Sequence, residues 1–225
     1  MENRSTSRRA TGSLFSLQFL KNPRHIGSVT PSSRFLEQRL LKAADIASAG
    51  TIVELGPGTG GTTHAILHAM PSHARLLSID INPHFYHLIS KIDDRRLIPH
   101  LGSANDLKEI LALYGLDAPD VIISGIPFST MSRDLGSGIL ATIASLLAVK
   151  GRFVAYQASD RVMELCQPFL GTGRMEMEFL NIPPMRVFRW EQRDSDARTC
   201  QTIAAASRVG TDEKSSQGAA GDQGH

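Results

Sequence analysis

The sequence predicts an α/β fold in which a mostly parallel sheet is covered by helices on both faces and closed on one edge by an antiparallel pair. Three observations predict it. Strand-like apolar runs alternate with amphipathic stretches along residues 51–157, a glycine-rich turn directly follows the first run, and two late strand-like runs are joined by only Ile182-Pro183-Pro184-Met185. At 225 residues with 41% hydrophobic content, the chain can bury one good core, and two full domains would be a stretch.

The first dozen residues are polar. Residues 13–21 then place Leu14, Phe15, Leu17, Phe19 and Leu20 among few charges, which predicts a short helix. Pro23 and Pro31 with neighbouring Ser and Thr residues mark a loop, capped at Ser32 or Ser33 into a second helix over 34–47, where Phe35, Leu36, Leu40, Leu41 and Ala44 recur at helical spacing. Strands are expected at 51–55, 75–79, 96–101, 121–124 and 152–157, with helices at 62–70, 83–91, 106–114 and 135–149. The closing pair is expected at 175–181 and 186–193, because a short connection suits antiparallel strands. Beyond Asp194 the chain is rich in Gly, Ser, Gln and charge, which predicts a disordered tail. The expected organisation is therefore a basic leading segment (1–48), an α/β domain (49–193) and a tail (194–225).

A formal charge of +2 is too mild for a protein built to hold nucleic acid, but its distribution is uneven. Residues 1–28 carry Arg4, Arg8, Arg9, Lys21 and Arg24 against the single acid Glu2. Cys166 and Cys200 form no CxxC pair, which fits a reducing compartment and argues against a thiolate metal site. No run of eighteen apolar residues occurs, so a membrane-spanning helix is not expected. His64 and His68 stand one helical turn apart, with His73, His84 and His87 following. No glutamate completes an H-E-x-x-H arrangement, and no metal is assigned.

The most informative local feature is Glu54-Leu55-Gly56-Pro57-Gly58-Thr59-Gly60-Gly61, placed between an apolar strand and a helix. Glycines there let the backbone turn sharply and approach a ligand, while the helix start offers unpaired N–H groups. Gly56, Gly58 and Gly61 satisfy the dinucleotide pattern G-x-G-x-x-G, so a nicotinamide or flavin cofactor competes with other adenosine-containing ligands. Three details turn away from a pyrophosphate: Glu54 would repel it, Pro57 lacks an N–H it could use, and no second substrate domain follows. Glu54 could instead attract an ammonium group. Asp80, at the end of the second strand and twenty-two residues after Gly58, can accept both hydroxyls of a ribose; its plainer reading is a cap for the helix at Pro83. Phe128, Tyr156 and Trp190 could line a pocket, although strand-end aromatics are more often core.

With residues 53–67, 78–85, 120–128 and 181–190, the chain resembles the class I methyltransferases, and with 20–36 in particular the bacterial phospholipid N-methyltransferases, over about 19–193. The resemblance implies a Rossmann-like, seven-stranded sheet with S-adenosylmethionine over the carboxyl ends of the first strands. It implies that Glu54, Gly56, Gly58 and Gly60 hold the methionine end and Asp80 the ribose, with Thr30, Ser32 and Ser33 closing over the cofactor. Where many relatives have Gly-Asp-Ala after the third strand, this chain has Gly102-Ser103-Ala104, so the adenine would meet Ser103 and Ala104, with Asn105 or Asp106 in place of the usual acid. At the end of the fourth strand, Ser124-Gly125-Ile126-Pro127-Phe128 replaces the amide or acid and two prolines of enzymes that methylate nucleic-acid adenine. That departure favours an aliphatic amine over a flipped planar base.

The implied chemistry is N-methylation of the amino headgroup of a membrane lipid, of the phosphatidylethanolamine or ornithine-lipid type, by a cytoplasmic protein peripheral to the inner face of the membrane. Ser124 and the main chain of Gly125, Ile126 and Pro127 would orient the amine, and an amine resembling lysine must lose a proton before it attacks. The basic segment with residues 13–21 would lie on an anionic membrane surface; packing on the domain and a cleaved transit peptide are the competing readings. Two other functions compete: an RNA adenine N6-methyltransferase, which predicts salt-sensitive binding and a basic appended domain, and a non-catalytic cofactor-fold protein that binds no S-adenosylmethionine.

Overall fold

The computed structural model describes residues 32–192; the expected leading helix at 13–21, Thr30 and the tail 194–225 lie outside the described residues. The described residues open with α1 (Arg34–Ala44), whose N-cap is Ser33: its side chain accepts the Leu36 N–H at 3.2 Å. A short 3-10 turn (Ile46–Ser48) leads into β1 (Thr51–Leu55). Then come α2 (Gly61–Ala69), β2 (Arg75–Asp80), α3 (Pro83–Ile89), β3 (Leu97–Leu101), α4 (Leu107–Leu113) and β4 (Val121–Ser124). The described residues end in α5 (Arg133–Leu146), β5 (Arg152–Gln157), α6 (Arg161–Leu170), β6 (Arg174–Glu178) and β7 (Met185–Glu191).

The strands form one seven-stranded sheet in the order β3-β2-β1-β4-β5-β7-β6. The first five are parallel, and β7 runs antiparallel to both β5 and β6. The expected strands and helices are present with ends shifted by a few residues. One helix is additional: the sequence reading places nothing between β5 and β6, where α6 stands. Pro168 inside α6 removes an N–H and discourages a helix assignment, but Val162, Leu165, Cys166 and Leu170 form a buried stripe that holds it.

Both sheet faces are dry. Val53, Leu55, Ile122, Phe153 and Phe188 pack beneath α4, α5 and α6, while Ile52, Leu76, Ile123, Val154 and Val187 pack beneath α1, α2 and α3. Each fully buried side chain of this kind stabilises the fold by about 1.5–3 kcal/mol relative to exposure. The outer strand β6 is mostly exposed and carries Arg174, Glu176 and Glu178, charges that discourage pairing with another chain.

Strand order reverses between β1 and β4, so a crevice opens at their carboxyl ends. The antiparallel register pairs Gln157 at the end of β5 with Arg186 at the start of β7. The β6–β7 connection, residues 179–184, therefore projects from that same carboxyl rim.

Candidate active site

The crevice is built by two backbone turns. After β1, Gly56, Gly58 and Gly60 all adopt positive φ (74°, 56° and 91°), a region where other side chains are strained. A Cβ on Gly58 would meet no atom within 4 Å, so that face of the turn is open, whereas a Cβ on Gly60 would stand 2.9 Å from Ile89 Cδ1. After β4, the Gly125 N–H donates to the Leu55 carbonyl at 2.9 Å, and a Cβ on Gly125 would lie 2.9 Å from the Gly56 carbonyl oxygen. The two turns thus touch through backbone, and only glycine permits it.

Two carboxylates stand behind the turns. Glu54 is buried, and its Oε2 accepts hydrogen bonds from the hydroxyls of Thr63 (2.7 Å) and Ser78 (2.8 Å); its Oε1 has no partner among the described residues. Burial pushes the Glu54 carboxyl up to about 7 against these two hydrogen bonds, and the nearby charge of Asp80 adds to the rise. Asp80 ends β2, accepts the N–H of Asn82 at 2.8 Å and of Gly58 at 3.4 Å, and is raised by burial to about 6, those backbone bonds opposing the rise. The acid that sequence assigns to the ribose is thus tied directly to the glycine turn.

Tyr156, for which the sequence leaves pocket lining and core both open, stands beside the two turns, partly buried. Its hydroxyl would be 2.5 Å from a Gly125 Cβ and shares a hydrogen bond with Thr62, at the start of α2. Burial, then the charge of Glu54, pushes the phenol up to about 12, so it stays neutral. Glu37 of α1 also reaches the cradle, its Oε1 being 3.1 Å from where a Gly61 Cβ would stand. Burial raises Glu37, with His64 opposing. Sequence reasoning missed Glu37, Thr63 and Ser78. Ser78 is the register partner of Glu54 on the neighbouring strand, a relationship that appears only once strand order and register are known.

The other expected residues spread along the rim. Ser124 is fully buried, and its Oγ accepts the Ile126 N–H at 3.2 Å, so its hydroxyl shapes the turn rather than facing open space. Gly125 and Ile126 are partly exposed beside Gly56, with Ile126 Cγ1 3.5 Å from a Gly56 Cβ position. Pro127 begins a 3-10 turn (Phe128–Thr130), its carbonyl accepting from Thr130, while Phe128 and Trp190 are core. At the β3 end, Gly102 N–H donates to the Asp80 carbonyl at 3.0 Å; Ser103 Oγ accepts the Asn105 N–H at 3.2 Å, Ala104 is buried, and Asn105 and Asp106 are exposed. At the opposite end, Ser33 N–H donates to Asn181 Oδ1 at 2.9 Å, which places Ser32 and Ser33 beside the β6–β7 connection. Thr30 lies outside the described residues. His64 and His68 are exposed, and among the described residues no group of three metal-ligating side chains gathers. No helix among the described residues is long and apolar enough to cross a membrane.

No family model matches the chain. Among characterised proteins, it is 28% identical over 142 residues to an ornithine lipid N-methyltransferase of Singulisphaera acidiphila, covering 62% of this chain and 74% of that one. Among solved structures, the N-methyltransferase NodS of Bradyrhizobium japonicum, in complex with S-adenosyl-L-homocysteine, aligns with a TM-score of 0.59 at 13% identity, over 79% of this chain and 98% of that one. A 1,6-didemethyltoxoflavin-N1-methyltransferase of Burkholderia thailandensis aligns with a TM-score of 0.56 at 14% identity, over 86% and 94%. At these identities the structural likeness is one of fold. The sequence relationship and the fold together support a methyltransferase enzyme on a Rossmann-like sheet, with S-adenosylmethionine as its methyl donor.

Proposed function

We propose that this chain methylates the amino nitrogen of a membrane-lipid headgroup, of the ornithine-lipid or phosphatidylethanolamine type, at the inner face of the cytoplasmic membrane. The observation that carries the reading is the end of β4: Ser124 is sealed with no side-chain amide or acid in its place, so the partly exposed Gly125–Ile126 turn presents main chain, the Ile126 carbonyl also accepting the Phe128 N–H at 3.0 Å. Carbonyls in a turn suit the tetrahedral N–H bonds of an aliphatic amine better than the edge of a planar base. The sequence relationship to a lipid N-methyltransferase points the same way.

The cradle fits the donor. The Gly58 face is open, Glu54 keeps an unpartnered buried oxygen, and Asp80 presents a carboxylate at the next strand end. Glu54 and the glycine turn would hold the methionine end, and Asp80 the ribose. Ser103 and Ala104 would border the adenine, and Ser32 and Ser33 would stand at the rim. S-adenosylmethionine, when bound, supplies a methyl group on a positively charged sulfur.

The chain's own task is then to present a neutral amine in line. The main chain of the Gly125–Ile126 turn orients its N–H bonds, and exclusion of water favours its unprotonated form. With the donor held by Glu54, the glycine turn and Asp80, its methyl group would pass to the amine nitrogen at the expense of the S–C bond, and the amine's surplus proton would leave to solvent. Tyr156, held neutral, adds no charge that would trap the amine as ammonium.

Mass spectrometry of total lipids from cells expressing the protein tests the reading. Gains of one, two or three methyl masses on an amino lipid, absent with the Gly58→Val variant, are expected; unchanged lipids from cells holding folded, donor-binding protein would refute it.

A further inference from the structure

The turn between β6 and β7 is apolar where water-facing turns are ordinarily polar. Phe179 is 71% exposed, Leu180 63% and Ile182 82%, while Asn181 between them is buried. This is a built arrangement. The Leu180 N–H donates to Glu178 Oε1 at 2.9 Å, Asn181 Nδ2 donates to the Pro183 carbonyl at 2.8 Å, and Asn181 Oδ1 accepts the Ser33 N–H at 2.9 Å. With its polar groups turned inward, the turn directs its apolar side chains outward. Two residues past Ser33, Phe35 adds a fourth large side chain, 47% exposed.

Place and charge say what this patch meets. The turn stands on the carboxyl rim of the sheet, the rim that carries the glycine turn, Asp80 and the β4 turn. The two acids at its base, Glu176 and Glu178, are both bound by Arg39, at 2.6 and 2.9 Å. Arg34 beside it is exposed and has no ion partner among the described residues. The chain also arrives at this point from residues 1–31, where five cations of the first 28 residues face one acid. A large apolar tip with the unpaired Arg34 beside it, reached by a strongly basic leading sequence, matches an anionic bilayer, acyl chains taking the tip and headgroups the cations.

We propose that Phe179, Leu180 and Ile182 insert into an anionic lipid bilayer, so that the sheet's carboxyl rim faces the membrane and the amine of a lipid enters the crevice without leaving its leaflet. The inference rests on the lipid-amine reading for its purpose, but not for its test.

Full-length protein is sedimented with vesicles of phosphatidylcholine containing a minority of phosphatidylglycerol. The triple variant F179S/L180S/I182S should bind about tenfold or more weakly than wild type, because three side chains lose their transfer into the bilayer. Its thermal midpoint and its calorimetric affinity for S-adenosyl-L-homocysteine should stay unchanged. Equal vesicle binding by both proteins, or none by wild type, overturns the proposal. A Phe179→Trp variant reads insertion directly: vesicles should shift its emission to the blue, and brominated acyl chains should quench it. Water-like emission from the vesicle-bound variant overturns the proposal. So does emission already blue before vesicles are added, because residues 1–31 or a second copy of the chain would then cover the turn. Vesicle binding that needs the turn, with no lipid methylated in cells, would leave the docking surface standing and refute only the substrate.

Discussion

The main-chain N–H of Ser33 donates to Asn181 Oδ1 at 2.9 Å, joining residues 148 positions apart. Ser33 caps α1, and Asn181 holds the β6–β7 turn. Arg39 repeats the link further along α1 by gripping Glu178 at 2.9 Å, and the guanidinium holds the Glu178 carboxyl below its usual range. The edge hairpin is thereby clamped to the helix that leads into the site.

Removing the clamp should be felt in both stability and binding. Asn181→Ala leaves the Ser33 N–H without its acceptor and should cost about 1–2 kcal/mol, seen as a fall of several degrees in Tm. Donor affinity measured by calorimetry should fall with it. Asn181→Asp keeps the acceptor and should lose less. Equal Tm for Asn181→Ala and wild type would show the contact to be energetically idle.

Glu54 makes stability depend on pH with a definite sign. Its folded value, about 7, lies above the ordinary 4.5, so the native state binds the proton more tightly than the unfolded chain does. The associated stability is fully present below pH 4.5 and is lost as pH rises through 7. Glu54→Gln keeps an acceptor for Thr63 and Ser78 and carries no charge. It should gain on wild type across that window, by on the order of 3 kcal/mol at most, in urea denaturation compared at pH 5 and pH 8. The gain should come with weaker donor binding.

Donor binding should itself rise with pH between about 6 and 7, as Asp80 and Glu54 lose protons and become better partners for a cation and for ribose hydroxyls. Calorimetry near pH 6 in buffers of different ionisation enthalpy should reveal proton release on binding. Affinity that is flat over this range would remove both carboxylates from the cradle.

Gly58 combines a φ of 56° with open space where a Cβ would point. Gly58→Val should cost about 1–2 kcal/mol of stability through backbone strain and leave the protein folded. It should still weaken donor binding by at least about 100-fold, since the added side chain fills the open face. Near-normal binding would move the donor elsewhere.

Gly125 is constrained from two sides. Its Cβ would fall 2.5 Å from Tyr156 Oη and 2.9 Å from the Gly56 carbonyl. Gly125→Ala should therefore lose methyl transfer and about 1–3 kcal/mol of stability. Adding Tyr156→Phe should restore only part, because the Gly56 carbonyl belongs to the backbone and cannot move aside. Full restoration would identify the hydroxyl as the sole obstruction.

Much of this site is local, and what is local can be read in a sequence. The glycine turn follows an apolar strand and opens a helix, so its backbone demands are written in the alternating glycines Gly56, Gly58 and Gly60, all of which adopt positive φ. Asp80 closes the next strand, and strand-ending residues share a rim once the sheet is parallel. The edge pair announces itself through its short connection. The sixth helix is hidden, since Pro168 interrupts a pattern held only by its packing against α5 and β7.

The amino-acid sequence by itself determined the alternation of strands and helices, the position of the glycine turn and the carboxylate after the second strand, because each follows from periodicity and backbone chemistry within a few residues. Only the tertiary structure decided that Ser124 turns its hydroxyl into the loop, that Tyr156 and Glu37 reach the cradle, and that Asn181 clasps Ser33 beneath an exposed apolar turn. Those facts depend on strand order and register. Register carries a side chain to one face or the other and sets far-separated residues side by side, and no short-range pattern encodes it.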